Sequence, residues 1–196
     1  RLKAERVFGC YNARTGSIRP SGAKFAKPAK LPIIPPTLQQ TVSMSDLPSI
    51  SQFLADEAAT LDLGEAWSSR LNAPLVIYLE GDLGAGKTTL TRGILRGLGH
   101  RGPVKSPTYA IVESYPLKPF TLHHFDLYRF TTPEEWEDAG LDELFSANSV
   151  CLIEWPQQGG EFTPPADITA TLIHDGDGRK CLLTAHTERG REGLPL

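Results

Sequence analysis

The 196-residue chain has no long apolar segment. Its longest uninterrupted apolar run is the five residues of Leu75–Leu79, whereas a membrane-spanning helix needs about 20. The basic residues near the start are followed by no apolar stretch of the roughly 7–15 residues typical of a secretory signal. These absences argue against a membrane partner and against secretion, so we expect a cytoplasmic protein.

Cysteine is also scarce. The three cysteines, Cys10, Cys151 and Cys181, lie far apart and form no Cys-x-x-Cys pair. Because their number is odd as well, neither a disulfide framework nor a cysteine zinc site is expected. A reducing compartment is the default for such a chain, which agrees with a cytoplasmic location.

Acidic residues are nearly missing from the first part of the chain and abundant in the rest. Residues 1–43 contain eight Lys or Arg and one Glu, a formal charge of +7. Residues 44–196 contain 12 basic and 22 acidic residues, a formal charge of −10. We therefore divide the chain into a basic tail and a single acidic domain. Such a domain lacks the broad basic footprint of nucleic-acid-binding proteins, so no DNA partner is predicted.

The tail is rich in proline, with five prolines between Pro20 and Pro36. It shows no sustained helical or strand period, so it cannot bury enough apolar surface to offset its ordering entropy. We expect it to be disordered and either an organelle-targeting segment, an interaction tail, or no part of the native protein. In the last case translation starts at Met44, the only methionine, and residues 1–43 are dispensable.

Strand and helix patterns interleave from residue 49 onwards. Leu75–Leu79 is continuously apolar, as expected of a strand buried on both faces, and Asp56 is a candidate N-cap for a helix that reaches about Leu71. Interleaving of this kind predicts an α/β sandwich with a mostly parallel sheet, and the closely spaced last strands predict an antiparallel extension at one edge. The other predicted elements are strands at Ser49–Leu54, Tyr109–Tyr115, Thr121–Phe125, Ser149–Ile153, Ile168–Ile173 and Lys180–Ala185, a helix over Lys87–Leu98, and short helical turns within Pro133–Phe145.

A glycine-rich segment connects the Leu75–Leu79 strand to the next helix. It reads GDLGAGKT at Gly81–Thr88 and matches the Walker A pattern GxxxxGK[ST] in the required strand–loop–helix context. Glycines let several backbone N–H groups converge on one phosphate, and the helix N-terminus adds partial positive charge there. The predicted fold class is therefore α/β, a P-loop NTPase-like three-layer sandwich with antiparallel edge strands. The predicted nucleotide contacts of this segment are Gly81, Asp82, Leu83, Gly84, Ala85, Gly86, Lys87, Thr88 and Thr89.

Three side chains of the loop carry specific expectations. Lys87 should reach the β- and γ-phosphates, and Thr88 should place its hydroxyl on Mg²⁺. Asp82 is unusual, because a carboxylate beside phosphates is repulsive unless it points away or contacts metal or water. The sequence contains neither the guanine-reading NKxD segment nor the LSGGQ signature of transporter ATPases, so ATP is the predicted nucleotide.

Two acids end other apolar strands. Asp126 follows Thr121–Phe125, and Glu154 follows Ser149–Ile153, so both carboxylates should lie at the sheet edge where the phosphates are expected. One could hold Mg²⁺ and the other could orient or deprotonate the attacking water, although each could also be a capping or surface acid. Neighbouring His123 and His124 point to opposite faces of a strand, so we expect packing or hydrogen-bonding roles for them.

The segment KSPTY, Lys105–Tyr109, lies between the loop helix and the following strand. In GTPase-like proteins this region is a switch whose hydroxyl senses the γ-phosphate. Spacing alone leaves two interpretations open, a switch or an ordinary loop.

Four segments together closely resemble the TsaE family, the bacterial P-loop ATPases of tRNA threonylcarbamoyladenosine biosynthesis. The resemblance runs over about residues 50–185, and no motif position departs from the family pattern. The Walker A segment alone is generic, whereas the order and spacing of the other three segments are specific. The segments are GDLGAGKTTLTRG at Gly81–Gly93, VKSPTY at Val104–Tyr109, HFDLYR at His124–Arg129 and LIEWP at Leu152–Pro156.

The resemblance implies roles that spacing does not give. Thr88 and Glu154 would be the Mg²⁺ ligands, and Asp126 would be an essential acid acting on water, so the implied catalytic set is Lys87, Glu154 and Asp126. The family role is ATP hydrolysis together with the TsaB–TsaD enzyme pair, which places a threonylcarbamoyl group on adenosine 37 of tRNA. The chain would then meet tRNA indirectly, through that complex. Further implied nucleotide contacts are Thr108, Trp155, Glu57 and Arg179.

Two other functions stay open. A small P-loop kinase needs an acceptor pocket and usually a mobile lid with arginines, and the short Leu117–Pro119 loop offers no obvious lid. A nucleotide-gated binding module would hydrolyse ATP only incidentally. On the main hypothesis the chain alone should be a slow ATPase that binds tRNA weakly, because none of its arginines is clearly placed to reach the γ-phosphate. The arginines considered are Arg92, Arg96 and Arg129.

Overall fold

The structure is a computed structural model and describes residues 48–195. The predictions for the basic tail 1–43, for Cys10 and for a start at Met44 concern residues outside this range and stay predictions. Within residues 48–195, no helix combines the length and the apolar character needed to cross a membrane.

Seven strands of the described chain form one sheet in the order β1-β7-β6-β2-β5-β4-β3. The four central strands, β6, β2, β5 and β4, are mutually parallel, and the outer pairs β1–β7, β7–β6 and β4–β3 are antiparallel. The carboxyl ends of β2, β4 and β5 therefore meet at one edge. The strands are β1 Ser49–Leu54, β2 Leu75–Glu80, β3 Val112–Pro116, β4 Thr121–Asp126, β5 Ser149–Glu154, β6 Ile168–Asp175 and β7 Gly178–Ala185.

The predicted strands are all present, and the closely spaced last strands form the predicted antiparallel extension, in which β7 and β1 continue the sheet beyond β6. The opposite edge is antiparallel as well, because β3 folds back on β4 as a hairpin. The predicted strand Tyr109–Tyr115 begins only at Val112. Ile111 has a positive φ of 68° and donates its N–H to the Pro107 carbonyl, so the chain turns there before it can pair.

Two helices cover one face of the sheet. α1, Glu57–Ser68, begins at Asp56, whose carboxylate accepts the Ala59 N–H at 2.8 Å as predicted, and it ends before Leu71. α2, Lys87–Gly97, follows the glycine-rich loop. The apolar side chains between these helices and the sheet form the larger core cluster, which includes Leu63, Trp67, Leu90, Ile94, Ile77 and Leu152.

Glycines allow α1 and α2 to pack closely. A Cβ on Gly64 would lie 2.5 Å from the Leu90 carbonyl oxygen, and a Cβ on Gly93 would overlap the carbonyl of Leu61. Close backbone approach fixes the start of α2, and hence the loop before it, relative to the sheet.

Replacing Gly93 with alanine is therefore expected to lower the free energy of unfolding by about 1–3 kcal/mol, because the added methyl group forces the two helices apart. Asp62→Ala, at an exposed position of α1, is the matched control and should change the same quantity by less than about 0.5 kcal/mol. Urea unfolding followed by circular dichroism measures both. Equal stability of the two variants would contradict close packing of the helices.

The opposite face carries a smaller cluster around Phe125, Trp136 and Ile153. It is covered by short elements: the helix α3, Glu135–Asp138, and 3₁₀ turns at Leu141–Leu144 and Pro156–Phe162. The short elements within Pro133–Phe145 agree with the predicted turns. Val76 and Tyr78 of β2 pack against this cluster and are partly buried, so β2 is covered on both faces as predicted, less completely on this one. A last short helix, α4, spans Glu188–Glu192.

Both described cysteines are free and buried, Cys151 in β5 and Cys181 in β7. Burial raises the pKa of each thiol to about 12, because the low-dielectric interior disfavours the thiolate. Neither thiol is therefore available as a nucleophile near neutral pH.

Candidate functional site

The carboxyl edge of the parallel strands carries a cleft of about 290 Å³. β2 delivers the glycine-rich loop to it, β4 delivers Asp126, and β5 delivers Glu154 and the following Trp155. Asp126 and Glu154 are direct neighbours in the β4–β5 register. The sheet topology thus brings together acids that lie 28 positions apart in the sequence. Asp126 and Glu154 are each only 4% exposed.

The glycine-rich loop adopts backbone conformations that favour glycine. Gly84 and Gly86 have φ angles of 79° and 107°, where a side chain is strained. A Cβ on Gly86 would also overlap the guanidinium of Arg179. Leu83, Gly84, Gly86, Lys87, Thr88 and Thr89 line the cleft.

Lys87 is the cation of the cleft and is only 4% exposed. Its Nζ donates to the carbonyl oxygens of Gly81 at 2.8 Å and Asp82 at 2.9 Å, and lies 4.4 Å from the centroid of the Trp155 ring. Burial lowers the pKa of this ammonium group, while the negative charges of Glu154, Asp126 and Asp82 oppose part of that shift. The lysine is therefore held near the loop backbone with acids around it.

Trp155 holds an uncommon backbone conformation. Its φ is 58° and its ψ is 47°, a left-handed geometry that costs a bulky residue roughly 1–3 kcal/mol and tends to occur at functional sites. The turn places the indole against Lys87 on one side and against Tyr128, whose ring centroid is 5.1 Å away, on the other. Both aromatic residues line the cleft.

Glu154 joins the loop helix to the neighbouring strand. Its Oε1 accepts the Thr88 hydroxyl at 2.9 Å and lies 2.9 Å from Nε2 of His124. The His124 ring is fully buried, as expected for a packing or hydrogen-bonding role, and its Nε2 serves as the donor if that nitrogen carries the proton. A hydroxyl and a carboxylate are the hard oxygen donors that Mg²⁺ prefers, and Mg²⁺ commonly takes few protein ligands beside phosphate and water. Within residues 48–195, no group of three or more His, Cys, Asp or Glu forms a metal cage, so such an ion would need oxygen atoms from a ligand.

Asp126 is held by the segment that precedes β3. Its Oδ2 accepts hydrogen bonds from the hydroxyls of Ser106 and Thr108, the latter at 2.6 Å, and its Oδ1 accepts the Tyr128 N–H at 3.1 Å. All three donors fix the orientation of the carboxyl group. Ser106, Thr108 and Asp126 line the cleft together, so the segment proposed as a switch touches the acid directly.

Some predicted residues lie outside the cleft lining. Glu57 is at the start of α1, where it pairs with Arg92 at 2.9 Å. The Arg179 guanidinium contacts the loop from β7, with Nη1 donating to the Ala85 carbonyl oxygen at 3.1 Å. Gly81 and Asp82 line a neighbouring hollow with Trp155 and Gln157, so the unusual Asp82 carboxylate is not on the lining of the cleft.

Sequence reasoning missed the positions of three contributors. Ser106 lies inside the KSPTY segment and Tyr128 inside the HFDLYR segment, but the sequence predicts no role for either residue. His124 was given a general packing role, and its bond to Glu154 depends on the β4–β5 register, which places His124 opposite Leu152, two residues before the acid. The sequence signal for these contacts is the position of the motifs at strand ends, because the carboxyl ends of parallel strands lie together at one edge of the sheet.

Comparison with known proteins identifies relatives of this chain. The sequence model of the family described as threonylcarbamoyl adenosine biosynthesis protein TsaE matches residues 54–181. The tRNA threonylcarbamoyladenosine biosynthesis protein TsaE of Haemophilus influenzae is 44% identical over 148 residues, which cover 73% of this chain and 94% of that protein. The protein of the same name from Bacillus subtilis is 43% identical over 105 residues, covering 54% of this chain and 65% of that protein.

A solved structure also resembles the fold. The crystal structure of Bacillus subtilis YdiB superimposes with a TM-score of 0.64 at 30% sequence identity. The superposition covers 75% of this chain and 92% of that one. The likeness agrees with the predicted P-loop NTPase-like class for the mixed seven-stranded sheet.

Proposed function

The chain belongs to the TsaE family and so has a role in tRNA threonylcarbamoyladenosine biosynthesis, and from this premise we propose that it binds and hydrolyses ATP with Mg²⁺. We further propose that it does so together with the TsaB–TsaD pair in the cytoplasm. The observation that carries the proposal is the meeting of Lys87, Thr88, Glu154 and Asp126 in one cleft at the carboxyl edge of the sheet. This is the part of an open α/β sheet where ligands bind.

The glycine-rich loop and Lys87 are proposed to bind the phosphates of ATP. The loop precedes α2, so the helix N-terminus adds partial positive charge to the N–H groups there. Lys87 already lies within hydrogen-bond distance of the loop carbonyls of Gly81 and Asp82, and a small rotation about its side-chain bonds would redirect its ammonium group to an anion in the cleft.

Thr88 and Glu154 are proposed to hold the Mg²⁺ ion. The ion, when bound, neutralises charge that develops on the phosphate oxygens. The hydrogen bond between Thr88 and Glu154 brings the two oxygen ligands together, and Nε2 of His124 lies 2.9 Å from the same Oε1 atom of Glu154. Buried partners of this kind orient ligands and limit their motion.

Asp126 is proposed to act on the attacking water. It is nearly buried, it lines the same cleft, and hydrogen bonds from Thr108 and Tyr128 hold its carboxyl group in position, as a general base requires. Ser106 and Thr108 both donate to Oδ2, so movement of their segment would change the position and the hydrogen bonding of this oxygen. The expected switch role of Thr108 would then act through Asp126.

Lys87 and Glu154 should differ in what their removal changes. Lys87→Ala removes charge-assisted hydrogen bonds to phosphate and is expected to weaken binding of a non-hydrolysable ATP analogue about 10- to 100-fold, since such bonds contribute about 1.5–3 kcal/mol. Glu154→Ala should instead lower the dependence of binding on Mg²⁺ concentration. Calorimetric titrations at several Mg²⁺ concentrations separate the two effects, and the same Mg²⁺-independent loss in both variants would contradict the division of roles.

Trp155, Thr89, Arg179 and Glu57 are proposed as further nucleotide contacts. Trp155 and Thr89 line the cleft, and Arg179 contacts the loop from behind. Glu57 is 64% exposed and paired with Arg92, so its proposed contact with the adenine depends on that pair opening. No additional observation favours a kinase or a binding module over the ATPase.

A further inference from the structure

A second, larger groove lies beside the cleft, at the carboxyl end of α2. We call it the α2 groove; its volume is about 590 Å³ and it has no acidic lining residue. It gathers four of the 12 Lys and Arg residues of positions 44–196, in a domain whose formal charge is −10. Its lining residues are Arg92, Arg96, His100, Arg101, Gly102, Pro103, Val104 and Lys105.

Two of the four cations of the α2 groove have no acidic partner. Arg92 and Arg96 each pair with a glutamate of α1, at 2.9 Å and 3.5 Å. Arg101 and Lys105 are exposed and form no ion pair with any residue in the described range 48–195. Four cations less two glutamates leave a local charge of +2 on a domain that is otherwise acidic.

The segment that carries these two cations offers more than charge. Gly102 and Pro103, which lie between them, are exposed. The N–H groups of Gly102 and Lys105 donate to no backbone carbonyl of residues 48–195. The α2 groove thus presents positive charge, backbone donors and an apolar side chain side by side. Protein interfaces combine apolar and polar contacts in this way.

We propose that the α2 groove docks an acidic segment of a protein partner. Carboxylates complement its positive charge, and a guanidinium group such as that of Arg101 matches a carboxylate in bidentate geometry. In the proposed function the protein partner is the TsaB–TsaD pair. The inference therefore rests on that function and adds the surface and the chemistry of the contact.

The charge of the groove favours a protein segment over a nucleic acid. A nucleic acid carries one negative charge per nucleotide along its whole length, and a local charge of +2 balances only two of them. The flanking glutamates, Glu57 and Glu65, have side chains that are 64% and 48% exposed, so they would repel further phosphates. A protein segment can place one or two carboxylates at Arg101 and Lys105 and neutral side chains beside the glutamates.

The position of the groove connects a docked partner to the proposed catalytic acid. Lys105 lines the α2 groove, and the next residue, Ser106, lines the cleft and donates to Asp126. A carboxylate held by Arg101 and Lys105 would therefore restrain the segment that contacts Asp126 Oδ2. Docking and hydrolysis are thus coupled through one short stretch of chain.

The test compares two double variants of the full chain that lose the same charge. Arg101→Gln with Lys105→Gln is the groove variant. Lys180→Gln with Arg191→Gln is the control variant and removes two exposed cations, on β7 and α4. His100 of the groove packs against β3, and β7 lies five strand positions away from β3 in the sheet. Association of each protein with a fluorescently labelled TsaB–TsaD pair is followed by stopped flow over a range of salt concentrations.

The groove variant should associate with the pair roughly tenfold more slowly than the control variant at about 10 mM ionic strength, because opposite charges steer the encounter when the Debye length is about 30 Å. At about 1 M salt the Debye length is about 3 Å, and the two rate constants should differ by less than about twofold. The thermal unfolding midpoints of the two variants should agree, since all four substituted side chains are exposed.

Equal association rates of the two variants at every salt concentration would overturn the proposal. A labelled tRNA stem-loop is titrated in parallel. Weaker stem-loop binding by the groove variant, with association to the pair equal to that of the control, would also overturn the proposal and assign the groove to a nucleic acid.

The chain without substitutions separates failure of the groove from failure of the proposed function. If it binds both a non-hydrolysable ATP analogue and the pair, equal rates of the two variants refute the groove contact alone. If it binds the analogue but not the pair, the partnership and the groove contact are both refuted while nucleotide binding stands. If it does not bind the analogue, the ATPase proposal itself is refuted.

Discussion

Replacing Asp126 with asparagine is expected to lower the rate of ATP hydrolysis roughly 10²- to 10⁴-fold, the usual contribution of a general base. The amide keeps the shape of the side chain and can still accept hydrogen bonds from Ser106 and Thr108, but it cannot take a proton from water. Binding of a non-hydrolysable ATP analogue should therefore change little. The measurement is phosphate release at saturating ATP, with calorimetry for the analogue.

An exposed aspartate provides the matched control for this variant. Asp62 is exposed on α1 and is not among the residues that line the cleft, and Asp62→Asn should leave both rate and affinity unchanged. If Asp126→Asn hydrolysed ATP as fast as the unmodified chain, Asp126 would have only a structural role. If it lost binding as strongly as Lys87→Ala, the acid would belong to the binding machinery.

The TsaB–TsaD pair is expected to raise the hydrolysis rate of the chain, by up to about 10³–10⁵ if it supplies a cation in trans. No arginine of residues 48–195 lines the cleft. Arg92 and Arg96 are paired with acids of α1, and Arg129 lies 4.2 Å from the Tyr109 ring centroid. Arg179 donates to the Ala85 carbonyl oxygen of the loop and is not part of the cleft lining. The site thus lacks an arginine at the expected position of the γ-phosphate.

Phosphate release by the purified chain, with and without the pair, measures the stimulation. Slow release alone and fast release with the pair are expected. The same comparison with Lys87→Ala separates release by this chain from release by the pair itself. Fast hydrolysis by the chain alone, unchanged by the pair, would contradict the partner-dependent ATPase and favour an independent enzyme.

The parts of the fold that could be predicted are those with a local signal. The apolar run of β2, the Asp56 cap of α1 and the glycine-rich loop each follow from a few neighbouring residues, and the structure has all three. The left-handed turn at Ile111 had no local signal, because isoleucine disfavours positive φ. That turn shortens β3 and lets the preceding segment reach Asp126, so the local conformation depends on contacts made elsewhere in the fold.

The sequence predicted which strand ends form the candidate site, but not the side-chain contacts within it. Asp126 and Glu154 were expected at one sheet edge, and they are neighbours in the register. The bond of His124 to Glu154 and the bonds of Ser106 to Asp126 could not be predicted, because they depend on side-chain direction and on the path of a loop.

The central claim is that ATP hydrolysis by this chain supports tRNA modification, and product formation in the reconstituted system tests it most directly. The chain or its Asp126→Asn variant is mixed with TsaB, TsaD, ATP, threonylcarbamoyl-adenylate and an excess of tRNA, and modified tRNA is counted per TsaB–TsaD complex. With the chain that carries no substitution, we expect many threonylcarbamoylated tRNAs per TsaB–TsaD complex. With Asp126→Asn we expect no more than one. Equal yields from the two proteins would contradict the account.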